Sequence, residues 1–257
     1  MGNAQVCIAM GHRMFSKDGE EAFDYSGGDL EAMMLAAKYY RWIHDTVKPY
    51  IGKNVVEVGA GVGSFSKLIM ESTPDTMTLI EPAKSMHDKL ATNITTTKKT
   101  KVVTHNDYLS ALEAKFKKDK PDTFVYINVF EHIEDDEAEL ARIARLVKKG
   151  GHVIIFVPAL QALYSDFDKS IGHYRRYSKK SLAELCAKVG LEPVKTRYMD
   201  MPGMLPWWIS FVLLKRTTLV PFLVNTYDNL CVPVIRLIEN TIEAPVGKNV
   251  LLVAKKP

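Results

Sequence analysis

Val55-Val56-Glu57-Val58-Gly59-Ala60-Gly61-Val62-Gly63-Ser64-Phe65-Ser66 is the stretch on which the fold of this 257-residue chain turns. A short apolar strand carrying one acid runs into three alternating glycines. A helical pattern then begins near Ser64. Glycine permits the sharp turn and lets a ligand approach where a Cβ would block it. The following helix offers unpaired N–H groups and the positive end of its dipole. Strand, glycine turn and helix together make a cradle for a nucleotide-type cofactor.

Working outward, apolar strand patterns recur at Asn54–Val58, Met77–Ile80, Lys101–His105, Thr123–Ile127 and His152–Val157. Helical spacing falls between them at Ser64–Glu71, Lys84–Ile94, Leu109–Lys118 and Asp135–Val147. Such alternation predicts an α/β fold, a Rossmann-like parallel sheet wound on both faces. A preceding helix is expected from Asp29 to about Lys48, after an irregular start with a turn at Gly27-Gly28. Beyond the fifth strand, residues 158–177 read as a long link. A helix follows from Ser178 to about Val189, stopped by Gly190. Two last strands are expected at Pro193–Tyr198 and Asn249–Ala254, with a proline-punctuated apolar insertion over 200–244 between them. The chain thus reads as one domain, 1–257. Residues 29–157 form the cofactor core, and 158–248 form a substrate loop and helical apolar lid.

Composition bounds the class. Apolar residues are 47%, charged residues 25% and the net charge is +4, as in a globular protein with a substantial core. Lysines are dispersed, which argues against a nucleic-acid partner. Cys7, Cys186 and Cys231 lie far apart with no metal-ligand spacing, so neither a metal site nor a disulfide framework is expected. A reducing, cytoplasmic location follows. Met1-Gly2 opens like a myristoylation signal, but Val6 stands where Ser or Thr is needed. The apolar run from Met201 to Leu214 is too short and too broken by proline to span a bilayer.

The loop spacing is G-x-G-x-G. A dinucleotide fingerprint would want its third glycine where Ser64 stands. That favours S-adenosylmethionine (SAM) over NAD, with an NAD(P)-dependent oxidoreductase as the rival. Ligands of such sheets sit beyond the carboxyl ends of the strands. Glu81-Pro82 ends the second strand, where a carboxylate can accept both hydrogen bonds of a ribose diol. Asn106-Asp107 ends the third, and Asn128-Val129-Phe130-Glu131-His132 the fourth. Each polar end has a plain alternative as a cap or turn residue; four in register along one edge point to a cofactor.

With those residues in place, the chain resembles the class I SAM-dependent methyltransferases of the broad UbiG-like, methyltransferase-domain group. The matching text is VVEVGAGVGSFS, LIEP, HNDYL, FVYINVFEHIEDD and RLVKKGGHVIIFVPA, over about residues 35 to 157. The resemblance implies a seven-stranded sheet with its last strand antiparallel. It implies that Gly59, Ala60, Gly61 and Gly63 line the methionine part of SAM and that Glu57 holds its ammonium. Glu81 would take the ribose, with Pro82 beside it. Asn106, Asp107 and Tyr108 would frame the adenine, and Asn128 and Val129 the methionyl segment. Tyr39 and Arg41 would close over the cofactor, Arg41 pairing with its carboxylate; Tyr39 has a plain alternative as a core residue. The product would be S-adenosylhomocysteine. A narrower resemblance, in GHYRRYS, LPWW, YDNLCVPVIRLIE and VGKNVLLVAKKP, is to bacterial methyltransferases associated with cell-surface glycan or lipid-linked assembly.

Methyl transfer is expected to an oxygen or nitrogen of a small-molecule or lipid- or glycan-linked acceptor. His173 is the candidate base, with Tyr174 and His132 as further catalytic candidates. Arg175 and Arg176 could grip an anionic acceptor in a bidentate way, or fix the loop by salt bridges. Tyr177 and Trp207 complete the candidate acceptor site. In the insertion, Leu223, Tyr227, Leu230, Val234, Leu237 and Ile238 form a helical stripe, expected to pack on the core or to form an apolar lid. Trp207-Trp208 and Lys215-Arg216 offer a peripheral membrane contact. A non-catalytic SAM-binding module and an RNA methyltransferase stand as further alternatives. The latter lacks an Asn/Asp-Pro-Pro-Tyr-type segment after the fourth strand. The oligomeric state is left open.

Overall fold

The computed structural model describes residues 35–257. The Asp29 cap, the Gly27-Gly28 turn, Met1-Gly2, Val6 and Cys7 lie outside the described residues. Seven strands form one sheet: β1 Asn54–Val58, β2 Thr76–Ile80, β3 Lys101–His105, β4 Thr123–Ile127, β5 His152–Pro158, β6 Glu192–Met199 and β7 Asn249–Lys255. Their order is β3-β2-β1-β4-β5-β7-β6. Strand β7 runs antiparallel to both its neighbours, and the pairs among the first five strands are parallel.

Side-chain alternation along the strands builds two cores. Val56, Val58, Phe124, Tyr126, Val153 and Ile155 face one side, against Leu140, Ile143 and Leu182. Val55, Val125, Ile154 and Phe156 face the other, against Trp42, Ile43, Phe65 and Ile69. The inner strands are covered on both faces, which is why β4 and β5 read as near-continuous apolar runs. Glu57 shares the face of Val55 and is sent beneath the helices Ala37–Val47 and Ser64–Glu71. The strand order reverses between β1 and β4, so the loops after these two strands flank the crevice where such sheets bind ligands.

Three segments differ from expectation. The Leu109–Lys118 helix is split into a 3-10 turn at Leu109–Leu112 and a helix at Glu113–Asp119. The 158–177 link contains the short helix Asp166–Ser170. The Asp168 carboxylate reaches back to accept hydrogen bonds from the Ser165 N–H (2.9 Å) and hydroxyl (2.8 Å). This is a reciprocal cap that tightens what the sequence suggested was an open loop.

The third difference lies in the insertion. It is helical, with π-helical turns at Trp208–Leu213 and Tyr227–Cys231 and a closing helix at Val232–Thr241. Its leucine stripe does not pack on the core. Leu223, Leu230, Val234, Leu237 and Ile238 are all at least half exposed. The buried face instead carries Asp228, Val232, Ile235 and Glu239. Polar anchoring chooses the face. Asp228 accepts from the backbone N–H of Lys38 and Tyr39, both at 2.9 Å, capping the helix Ala37–Val47. Glu239 accepts from the N–H of Asp200 (3.0 Å) and Met201 (2.8 Å). Turning the leucines inward would leave these four donors unpaired, and an unpaired buried donor costs about 1–3 kcal/mol.

Candidate active site

Gly59, Gly61 and Gly63 have φ of 69°, 57° and 89°, a region that favours glycine. A Cβ on Gly59 would stand 2.5 Å from Val129 Cγ2, whereas one on Gly61 would meet nothing within 4 Å. The loop is thus pressed against the end of β4 at Gly59 and open at Gly61. Glu81 clips it to β2, its carboxylate accepting from the Gly61 N–H (2.8 Å) and the Ala83 N–H (2.9 Å).

A cavity of about 530 Å³ begins at this loop. Gly59, Ala60, Gly61, Glu57, Asn128, Tyr39 and Tyr40 line it, and so do Glu131, His132, His173, Arg176, Trp207, Phe211, Leu219 and Leu223. Asn128 holds φ 55°, the backbone turn that carries the chain from β4 across the crevice. The open glycine loop and the buried acid beneath it fit the methionyl part of SAM.

The structure sorts the expected site residues. Tyr39, Glu57, Gly59, Ala60, Gly61, Asn128, His132, His173, Arg176 and Trp207 line the cavity. Gly63 caps the helix Ser64–Glu71, and Val129 is buried against Gly59. Glu81, Pro82, Asn106, Asp107 and Tyr108 lie at the ends of β2 and β3 on the same sheet edge, outside the cavity wall. Asn106 donates to the Glu81 and Pro82 carbonyls, and Asp107 accepts from the Tyr108 N–H.

Arg41, Tyr177 and Tyr174 do not sit as expected, and the two readings of Arg175 and Arg176 separate. Arg41 faces away from the cavity and pairs with Glu71, because helical spacing turns Tyr39, Trp42 and Ile43 inward and Arg41 out. Arg175 is spent on Asp136 (2.8 Å) and the Glu134 carbonyl (2.7 Å). Tyr177 is buried with its hydroxyl on Asp136 and the Phe130 carbonyl. Tyr174 does not line the cavity; its N–H donates to the Glu131 carbonyl at 2.8 Å. Arg176 reaches the wall, but its guanidinium is bound bidentately by Asp168, so its charge is already neutralised. For Arg175 and Arg176 the loop-fixing alternative is the one realised.

His173 is not in a flexible loop. Its Nδ1 bonds Asp168 at 2.9 Å, its ring meets His132 edge-on at 4.6 Å, and its Nε2 lies 3.8 Å from Glu131. Burial lowers the pKa of His173, with Asp168 opposing, and pushes His132 down to about 3. Burial raises Glu131 to about 8 and, with the nearby Glu81 charge adding to it, Glu57 to about 8. Both Glu131 carboxylate oxygens and His132 Nδ1 have no hydrogen-bond partner among the described residues.

Sequence reasoning missed Asp168, whose signal was the Ser165-x-x-Asp168 capping pattern. It also missed Phe167, which stacks with Phe211 and Trp207, and Lys248, which lies over the rings of Tyr39, Trp207 and Tyr227. No spacing pattern marks either.

The comparisons agree with this geometry. A family model described as "Methyltransferase domain" matches residues 30–196, and the chain belongs to that family. Its fold is similar to a chain in the complex of the Haloferax volcanii Trm112 methyltransferase activator with a methyltransferase. The identity is 17% and the TM-score 0.55, covering 91% of this chain and 99% of the other. It is also similar to a SAM-dependent methyltransferase from Archaeoglobus fulgidus, at 17% identity and TM-score 0.54, covering 88% and 94%. A third, from Mesorhizobium loti, shares 10% identity at TM-score 0.55, covering 86% and 98%. No curated protein sequence matches the chain. The protein is a SAM-dependent methyltransferase, and SAM is its cofactor.

The buried acid gives a testable consequence. Glu57 is neutral below about pH 8 in the free protein, and a bound ammonium favours its ionised form. SAM affinity should therefore rise between pH 6 and 7.5, by up to about tenfold per pH unit. Titration calorimetry on Glu57→Gln should give weaker binding with that slope removed; a slope unchanged in the variant would take Glu57 out of the ammonium role.

Proposed function

We propose that the enzyme methylates an oxygen or nitrogen on an acceptor with an apolar, lipid-like body. One observation carries this: apolar residues of the insertion line the cavity, and other apolar residues of the same insertion are exposed. Leu219, Val220 and Leu223 line the cavity, while Leu205 and Leu213 on one helical stretch of the insertion and Phe222, Leu230 and Leu237 on the other are each more than half exposed. The acids of that segment, Asp228 and Glu239, are turned inward, and Lys215 and Arg216 flank it. An apolar face with cationic flanks suits the surface of an anionic membrane. Among the described residues no helix is long and apolar enough to cross one.

SAM supplies an electrophilic methyl group on a sulfonium. The chain has to hold the acceptor atom about 3 Å from that methyl, in line, and keep water out. Tyr39, Glu57, Gly59, Ala60, Gly61 and Asn128 would hold the cofactor at one end. Trp207, Phe211 and Leu223 would hold the acceptor's apolar part at the other. Between them the Glu131–His132–His173 cluster would face the acceptor atom and assist loss of its proton, with Asp168 fixing the His173 ring.

Transfer of labelled methyl from SAM to a total bacterial lipid extract tests this. Label should partition into the organic phase. Phe222→Asp with Leu230→Asp should reduce that transfer at least tenfold while SAM affinity holds. Label appearing only in water-soluble acceptors would sink the lipid reading.

A further inference from the structure

We propose that Glu131, His132 and His173 form a binding site for one divalent transition-metal ion of the zinc type. One ligand atom from each lies within 4.8 Å of the others, and all three residues are buried. Two zinc ligands at tetrahedral angles stand roughly 3.3 Å apart, so shifts of about 1 Å would close the set.

The hydrogen-bond accounting points the same way. A fully buried carboxylate normally satisfies its oxygens, because leaving them bare costs free energy. Glu131 is 0% exposed and leaves both bare, and His132 Nδ1 beside it is bare too. Three buried polar atoms of one cluster without a hydrogen-bond partner among the described residues describe a place for a cation. His173 has the matching support. Its Nδ1 bonds the Asp168 carboxylate at 2.9 Å, which fixes the tautomer and leaves Nε2 as the donor atom toward Glu131. A carboxylate behind a ligating imidazole is how histidine ligands are commonly oriented. The Tyr174 N–H bonds the Glu131 carbonyl at 2.8 Å, so the two chain segments supplying the ligands are tied together.

Two imidazoles and one carboxylate suit a borderline ion, and three protein ligands leave a position open. All three residues line the cavity, so that position faces it. Resting on the methyl-transfer reading above, the open position would take an oxygen of the acceptor and lower its pKa, so that with the ion bound His173 would assist proton loss as a ligand rather than as a free base; this narrows the acceptor class to an oxygen-bearing headgroup.

The test is cobalt titration of the chelator-treated full chain, with neither SAM nor acceptor present. One Co2+ per chain should bind, with visible absorption bands, and Zn2+ should displace it and raise the thermal midpoint. Glu131→Gln and His173→Gln should each lower the affinity by roughly 100-fold or more, with His87→Gln unchanged. If either variant fails to fold, X-ray absorption of the zinc-loaded wild type should show imidazole and oxygen donors. Absence of saturable binding, sulfur donors, a preference for Mg2+, or affinity unmoved by both folded variants would overturn the site. SAM binding by calorimetry on the same metal-free protein is a separate readout, and its failure would count against the cofactor assignment instead.

Discussion

Asp168→Ala should destabilise the fold by about 3–5 kcal/mol, the cost expected when one partner of a buried ion pair is removed. Asp168 and Arg176 are 0% and 1% exposed in their side chains. One carboxylate accepts from Arg176 Nε (2.9 Å), Arg176 Nη2 (3.0 Å), His173 Nδ1 (2.9 Å) and both the N–H and hydroxyl of Ser165. Its removal strands a guanidinium in the interior, uncaps the helix Asp166–Ser170 and frees the His173 ring. For a chain of this size the thermal midpoint should fall by roughly 10 °C. Asp168→Asn, which keeps the shape and part of the acceptor capacity, should cost less. A loss under about 1 kcal/mol in denaturant melts of Asp168→Ala would show that the pair is not structural. The pH dependence has a definite sign. Burial pulls the Asp168 pKa upward, but the His173 hydrogen bond and the Arg176 charge outweigh it and hold it low. Its contribution is therefore present above the ordinary carboxylate range and lost as pH falls through and below it.

His173→Ala should lower turnover by about 10²–10⁴-fold, the usual worth of a group that assists proton removal. SAM affinity should stay within about threefold, because the partners of His173 are Asp168, His132 and Glu131 rather than the glycine loop. Burial lowers the His173 pKa, so the wild-type ring is neutral and competent at neutral pH. Single-turnover rates with labelled SAM, alongside calorimetry, separate the two quantities. Equal losses in SAM binding and turnover would make His173 a structural residue of the cofactor end.

The core of the fold was legible because its signals are local. The Gly59–Gly63 loop and strands β1 to β5 are fixed by alternation and by glycine positions, which a sequence displays directly. Glu57 and Asn128 followed from the same logic, since strand ends meet at one edge. Arg41 did not: a basic residue on a helix beside the cofactor looks suitable until its rotation toward Glu71 is known. The Arg175–Tyr177 segment left two readings open for its arginines. Its charges are answered by Asp136 and Asp168, acids distant or unobtrusive in sequence, so only the fold reveals that they are already paired. The leucine stripe of the insertion was seen with the right period, but whether it packs on the core or stays outside as a lid was left open. Periodicity identifies a face, but here the backbone donors of two other segments decide where it points.

That last arrangement makes a latch. The Asp228 carboxylate that keeps the insertion in place is also the cap of the helix bearing Tyr39, a wall of the cofactor end. Any outward swing of the insertion that admits a bulky acceptor must uncap that helix. Glu239, which accepts from the Asp200 and Met201 N–H groups, holds the same insertion at a second point. A movement of that kind would loosen the cavity wall at Tyr39 together with the insertion.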